Sequence, residues 1–207
     1  MRTRISSGRG WAGPTASLAG TTGKAGLVKI PLLSELPGAS TVTGMLQGIE
    51  GRYGVPGQIM MAIWGHETNY GSNRGNFDLA RSLASLAYEG RRRELFAGEF
   101  IALLKMADQG IPREQLVGSY AGAFGNPQFL PSVYLRTAVD GDGNGSRDIW
   151  YSRADTIASI ANYFRDAGWR SGEPWGVRAA VPSGLNRAAL AGRLSAPSCN
   201  RVHARHG

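Results

Sequence analysis

Apolar residues recur at three- and four-residue intervals through much of residues 40–167, the spacing of helices that bury one face. The pattern predicts helices over 40–53 (STVTGMLQGIEGRY) and 56–70 (PGQIMMAIWGHETNY). Pro56 suits the first turn of the second, and Gly71 suits its stop. Residues 79–88 and 92–109 continue helical, the latter with Leu95, Phe96, Phe100, Leu103 and Leu104 expected on one inward face and Gly110 and Pro112 ending it. A glycine-rich turn (GSYAGAFGNP) precedes a short helix expected near 127–136. The last helix is expected over 153–167, with Ile157, Ile160, Ala161 and Phe164 inward. No segment alternates convincingly, although a short hairpin could form around 140–151. The fold class is therefore mainly α. Residues 1–26 are rich in Gly, Ser, Thr and Arg without hydrophobic period and are expected to be disordered. The expected organisation is a flexible basic segment at 1–38, a domain at 39–182 and a basic tail at 183–207.

Composition narrows this picture. The chain of 207 residues is 42% hydrophobic, enough for one packed domain. No run of about 18 apolar residues is present, which excludes a spanning helix. A single cysteine, Cys199, excludes an internal disulfide framework and a Cys-rich zinc module. The net charge of +8 is uneven: residues 1–31 carry +5, 32–169 carry −2 and 170–207 carry +5. A nucleic-acid reader more often carries its basic stripe on the folded body. Basic ends read as solvated tails, or as an attachment to a polyanion such as an acidic cell wall.

Glu67 is the most informative residue. On its helix it shares a face with Met60, Ile63 and Trp64, and then with Tyr70. A carboxylate beside Ile and Trp loses hydration, and its pKa rises. A carboxyl that stays protonated near neutrality is what general-acid cleavage of a glycosidic bond requires. From the residues alone, a helix-end glutamate in a surface ion pair is the commoner explanation. His66-Glu67 does not make a zinc protease: the second His is replaced by Tyr70, and the other histidines are His203 and His206. No nucleophile elbow and no phosphate-binding glycine loop occurs.

Residues 140–148 read DGDGNGSRD. Asp140, Asp142 and Asn144 fall at positions 1, 3 and 5 of an EF-hand-like calcium loop, with Gly145 at position 6 and Ser146 at position 7. Position 12 should be a bidentate Glu and is Tyr151, so Asp155 is the nearest later carboxylate that could close the cage. Such an ion pins a loop and does no chemistry. An acidic turn without metal is the alternative.

Four segments, IEGRYGVPGQIMMAIWGHETNYG, LASLAYEGRRRELFAGEF, GSYAGAFGNPQFLPSVYLRTAVDGDGNGSRDIW and ADTIASIANYFRDAGW, together resemble the lytic murein transglycosylase B family over about residues 45–182. The resemblance implies a lysozyme-like helical catalytic domain that cleaves the β-1,4 bond between N-acetylmuramic acid and N-acetylglucosamine in peptidoglycan. By resemblance, Glu67 is the catalytic acid, and Ser119, Gln128 and Tyr163 line its groove. Tyr88, Arg91 and Arg92 would handle the sugar and its peptide stem. The acidic loop (Asp140, Asp142, Asn144, Ser146, Asp155) would hold a structural Ca²⁺, with no cofactor for the chemistry. The resemblance further implies a monomer acting on glycan strands in the periplasm or cell envelope, with no nucleic-acid partner. The chain departs from the family at Phe124, Asn126, Pro127, Leu130 and Tyr151. A hydrolytic muramidase of the same fold, a non-catalytic peptidoglycan-binding module and a calcium-binding helical protein are the competing readings.

Overall fold

A computed structural model describes residues 39–173, and residues 39–171 belong to one compact unit of the chain. The described part is helical, with one small sheet. Expectations for residues 1–38, for the tail and for Cys199 lie outside the described residues.

Among the described residues six α-helices form, all but α5 close to where the hydrophobic spacing predicts them: α1 (Ala39–Tyr53), α2 (Gly57–Thr68), α3 (Leu79–Glu89), α4 (Arg93–Asp108), α5 (Pro131–Thr137) and α6 (Arg153–Asp166). Four of them, α2, α3, α5 and α6, have a free amide at the N-terminal end held by a side chain, each bond worth about 1 kcal/mol. Asp78 accepts the amide of Arg81 at the start of α3, and Ser152 accepts that of Asp155 at the start of α6. Two caps come from other helices. Glu50 of α1 accepts the amide of Gly57 at 3.0 Å, and Glu99 of α4 accepts both the amide and the hydroxyl of Ser132. Glu99 is thus a buried acid with a structural task.

Two apolar clusters make the core. The first joins α1, α2 and α6 through Leu46, Ile49, Met60, Trp64, Ile157 and Ile160. The second joins α3, α4, α5 and the glycine turn through Leu79, Leu83, Leu103, Met106, Phe124 and Tyr134, with Trp150 packed among them. Tyr163 of α6 packs against both. Ile157, Ile160, Ala161 and Phe164 are all buried, as the spacing on α6 predicts.

Three expectations are corrected. On α4, Leu104 is 49% exposed and Leu95 36%, because the helix turns Ala102, Leu103 and Met106 inward instead. Helix α5 begins at Pro131 and not near 127, because Phe129 bonds back to Phe124 through both amides and holds residues 124–129 as a turn. Residues 140–151 form no hairpin. The sheet lies elsewhere, where β1 (Phe77–Asp78) pairs antiparallel with β2 (Val117–Gly118). This pairing brings the chain that follows α2 against the glycine turn. Gly75 makes the approach possible: its φ is +83°, and a Cβ there would collide with the carbonyl oxygen of Gly118.

Candidate active site

Glu67 sits in the last turn of α2. Tryptophan and methionine line the buried side of this helix, with Met60 fully buried and Trp64 4% exposed. The helix stops at Thr68, so Tyr70 leaves the helical face expected of it. Its ring nevertheless meets Trp64 edge-on, with centroids 5.6 Å apart. Glu67 itself is half-buried, and no hydrogen bond reaches its carboxylate among the described residues. Burial alone pushes its pKa up to about 7. A surface ion pair would have done the reverse. The carboxyl therefore holds its proton through much of the neutral range.

Ser119 lies at the head of the glycine turn. Its amide donates to Ala123 O at 2.7 Å, and its hydroxyl oxygen accepts the amide of Ala123 at 3.1 Å. The hydroxyl can therefore still donate. Gln128 is held in a left-handed conformation, φ 51°, and is 8% exposed. Its amide nitrogen donates to Arg74 O at 3.2 Å and to Gly125 O at 3.0 Å. Both amide hydrogens are used, which leaves the side-chain oxygen to accept. The Arg74 bond also ties Gln128 to the loop that follows Glu67. Tyr163 packs on Phe129 of the same turn, and burial raises its hydroxyl pKa. Ser119, Gln128 and Tyr163 are thus built around one turn, and β1–β2 and Arg74 tie that turn to the end of α2.

Tyr88, Arg91 and Arg92 stand apart. They occupy the corner between α3 and α4 and are exposed, Tyr88 at 87%. No hydrogen bond or ring contact links them to Ser119, Gln128 or Tyr163 among the described residues. A cavity of about 340 Å³ lies between the end of α4 and the acidic loop, lined by Gln109, Tyr134, Arg147 and Trp150 among others. Glu67 does not line it.

The acidic loop folds on its own carboxylates. Asp140 accepts the amides of Gly145, Gly143 and Asn144, which holds its carboxyl below the usual range, the Gly145 bond contributing most. Asn144 accepts the amide of Ser146 at 2.8 Å. Asp155 is fully buried and accepts the amides of Gly141 and Asp148. Burial first, and then the charges of Asp142 and Asp140, push its pKa up. Carboxylate oxygens of Asp140, Asp142 and Asp155 lie within 4.8 Å of one another. Three hard oxygen donors facing one another, one of them buried, fit a Ca²⁺ ion. Trp150 carries this loop onto the glycine turn by stacking on Phe124, with centroids 5.5 Å apart.

A half-buried acid at a helix end, a glycine turn tied to that end and an oxygen-lined loop on a helical frame define a lysozyme-like domain. The sequence profile of the transglycosylase SLT domain matches residues 39–205, and the chain belongs to that family. It is 42% identical over 129 residues to the membrane-bound lytic murein transglycosylase B of Escherichia coli K12, a match covering 61% of this chain and 36% of that protein. SltB3 from Pseudomonas aeruginosa, solved with NAG-NAM-pentapeptide, is 45% identical, covers 70% of this chain and 39% of its own, and superposes with a TM-score of 0.65. The same protein has been solved with NAG-anhNAM-pentapeptide. The Escherichia coli lytic transglycosylase Slt35, solved with calcium, is 39% identical over 65% of this chain and 44% of its own, with a TM-score of 0.61. The chain thus spans well under half the length of these relatives.

Proposed function

We propose that this chain is a lytic transglycosylase that cleaves the β-1,4 bond between N-acetylmuramic acid and N-acetylglucosamine in peptidoglycan. The observation that carries the reading is Glu67: a carboxyl held near pH 7 by burial, at the end of a helix tied to the turn of Ser119 and Gln128. Family membership and the peptidoglycan fragments bound by SltB3 support the substrate class.

Glu67 acts first as acid, protonating the bridging oxygen. Departure of the leaving sugar is assisted by the N-acetyl carbonyl of the muramoyl residue. Glu67, now a carboxylate, takes the proton from that sugar's own 6-hydroxyl, and the oxygen closes a 1,6-anhydro ring. Water is not consumed. A two-carboxylate glycosidase would need a second acid about 5–9.5 Å away. Asp78, the next acid along the chain, is committed elsewhere: it caps α3 and bonds Arg113 at 2.7 Å, and both contacts hold its carboxyl below the usual range. One acid serving twice fits this setting.

Ser119, with a hydroxyl free to donate, and Gln128, with an oxygen free to accept, suit the hydroxyl and N-acetyl groups of the sugar. Tyr163 closes the wall behind them, and the exposed Tyr88, Arg91 and Arg92 suit the peptide stem. Asp140, Asp142, Asn144, Ser146 and Asp155 would hold a structural Ca²⁺, which pins the loop and takes no part in bond cleavage. Among the described residues no helix is long and apolar enough to cross a membrane. The substrate places the working site in the cell envelope, and the chain acts there as a monomer.

Mass analysis of the fragments released from murein tests the reaction. Anhydromuramoyl ends are expected. Reducing ends would make the chain a hydrolytic muramidase, and retention on murein without release would make it a binding module.

A further inference from the structure

Helix α2 ends one residue past Glu67. Asn69 and Tyr70 then both adopt left-handed backbone, with φ of 48° and 57°. Two consecutive non-glycine residues there are unfavourable, and Tyr70 more so than Asn69, so the surroundings must hold the reversal in place. Thr68 ties this reversal to the glycine turn. It is 1% exposed; its hydroxyl donates to Asn126 O at 2.8 Å and accepts the amide of Gly71 at 3.0 Å. Asn126, 4% exposed, is itself fastened twice: its amide donates to Ile149 O at 2.9 Å, and its side-chain nitrogen donates to the hydroxyl of Thr156 at 3.0 Å. Thr156 is fully buried and donates in turn to Ser152 O at 2.7 Å. Among the described residues the side-chain oxygen of Asn126 is buried with no partner, a cost that the other bonds must offset.

We infer that Thr68 and Asn126 are positioning residues for Glu67. They lock the strained reversal after the acid onto the glycine turn and, through Thr156, onto α6, so that the carboxyl is presented to the substrate at one fixed place. This rests on the reading of Glu67 as the acid. The chain of bonds passes through a main-chain carbonyl on the turn that also carries Gln128, so one anchor ties the end of the acid's helix to that turn. Fixing the reacting groups is what such an anchor contributes, and a misplacement of about 1 Å can cost roughly 100-fold in rate.

The test measures kcat and KM separately on soluble glycan strands, with the full chain, alongside the melting temperature. Thr68→Val keeps the shape of the side chain and loses the hydroxyl's bonds to Asn126 O, Gly71 N and Trp64 O, and Thr68→Ser keeps the hydroxyl. Thr68→Val is expected to lower kcat roughly 10- to 100-fold with KM changed by less than about 2-fold, and Thr68→Ser to recover most of that loss. Asn126→Ala and Thr156→Val are expected to lower kcat selectively too, and they serve as the reading should Thr68→Val not fold. Variants that melt earlier but turn over at wild-type kcat per folded molecule would overturn the inference, leaving both residues purely structural. Glu67→Gln, run in parallel, separates the two levels: full turnover in that variant defeats the assignment of the acid itself.

Discussion

Tyr163 of α6 lies against Phe129 of the glycine turn, with ring centroids 5.7 Å apart and planes at 39°. Through this contact the helix that anchors the first core cluster also backs the wall beside Gln128. Tyr163→Phe keeps the ring contact and loses only the hydroxyl. It is expected to melt within a few degrees of wild type while losing up to about 10-fold in turnover. Tyr163→Ala removes packing from both clusters and is expected to cost about 3 kcal/mol. Thermal melts set beside turnover separate the two effects.

Glu67→Gln removes the transferable proton and leaves the shape of the side chain. General acid–base assistance contributes roughly 10²–10⁴ in rate, so turnover is expected to fall by that range while sedimentation with murein is unchanged. Residual activity near wild type in a muropeptide-release assay would remove Glu67 from the mechanism.

The raised pKa of Glu67 also makes a stability prediction. Its carboxyl binds a proton up to about pH 7 in the folded chain but only up to about 4.5 when unfolded. Between those values the folded state holds the extra proton, so the stability it contributes is full below pH 4.5 and is lost as pH rises through 7. The whole effect is at most about 3 kcal/mol, and partial solvent access reduces it. Glu67→Gln carries no such penalty. It is expected to melt several degrees above wild type at pH 8 and to match it at pH 4, as paired scanning calorimetry would show. Wild-type turnover should decline above pH 7 for the same reason, as the acid form is depleted.

Much of this architecture is readable from the hydrophobic spacing alone, because long helices bury one face over several turns. The inward residues of α6 follow from that spacing, whereas for Glu67 the spacing leaves a surface ion pair open, and burial in the fold decides against it. Other features leave no periodic trace. Strands of two residues cannot alternate, so β1 and β2 are invisible, and residues 140–151 form a carboxylate-organised loop instead of a hairpin. On α4 apolar residues occur on more than one face, and only packing decides that Leu103 goes in and Leu104 out. The start of α5 is not marked by periodicity, because Pro127 belongs to the turn and Pro131 opens the helix. The bond from Thr68 joins a carbonyl 58 residues away, and an acceptor that every residue carries gives no sequence signal. The approach of Asp155 to Asp140 and Asp142, by contrast, has a sequence signal, since the loop carries Tyr151 at its usual last position and Asp155 is the nearest later carboxylate.

Calcium binding to the Asp140–Asp142–Asp155 cluster would relieve the repulsion among three carboxylates and favour only the folded state. At about 100 times its dissociation constant the ion is expected to add about 2.7 kcal/mol, a rise of roughly 5–10 °C in melting temperature. Chelator should reverse the rise. Asp155→Asn should abolish it, while Glu67→Gln should keep it. An unchanged melt up to millimolar calcium would mark the loop as a metal-free acidic turn.

Gly75 and Gly110 both have strongly positive φ, +83° and +89°, yet they should respond differently to alanine. At Gly110, which follows α4, nothing lies within 4 Å of an added Cβ. Gly110→Ala therefore meets only the conformational cost, about 1 kcal/mol. At Gly75 the Cβ would also strike the Gly118 carbonyl, a backbone atom that cannot rotate away. Relief requires β1 and β2 to separate, which moves Ser119 and the loop that carries Arg74 away from Gln128. Gly75→Ala is expected to cost at least about 2 kcal/mol more than Gly110→Ala and to lower turnover in the fraction that remains folded. Denaturant melts give the first quantity and assays at a temperature where both variants are folded give the second. Equal stability and equal turnover for the two would mean that the close approach of these strands does not shape the groove.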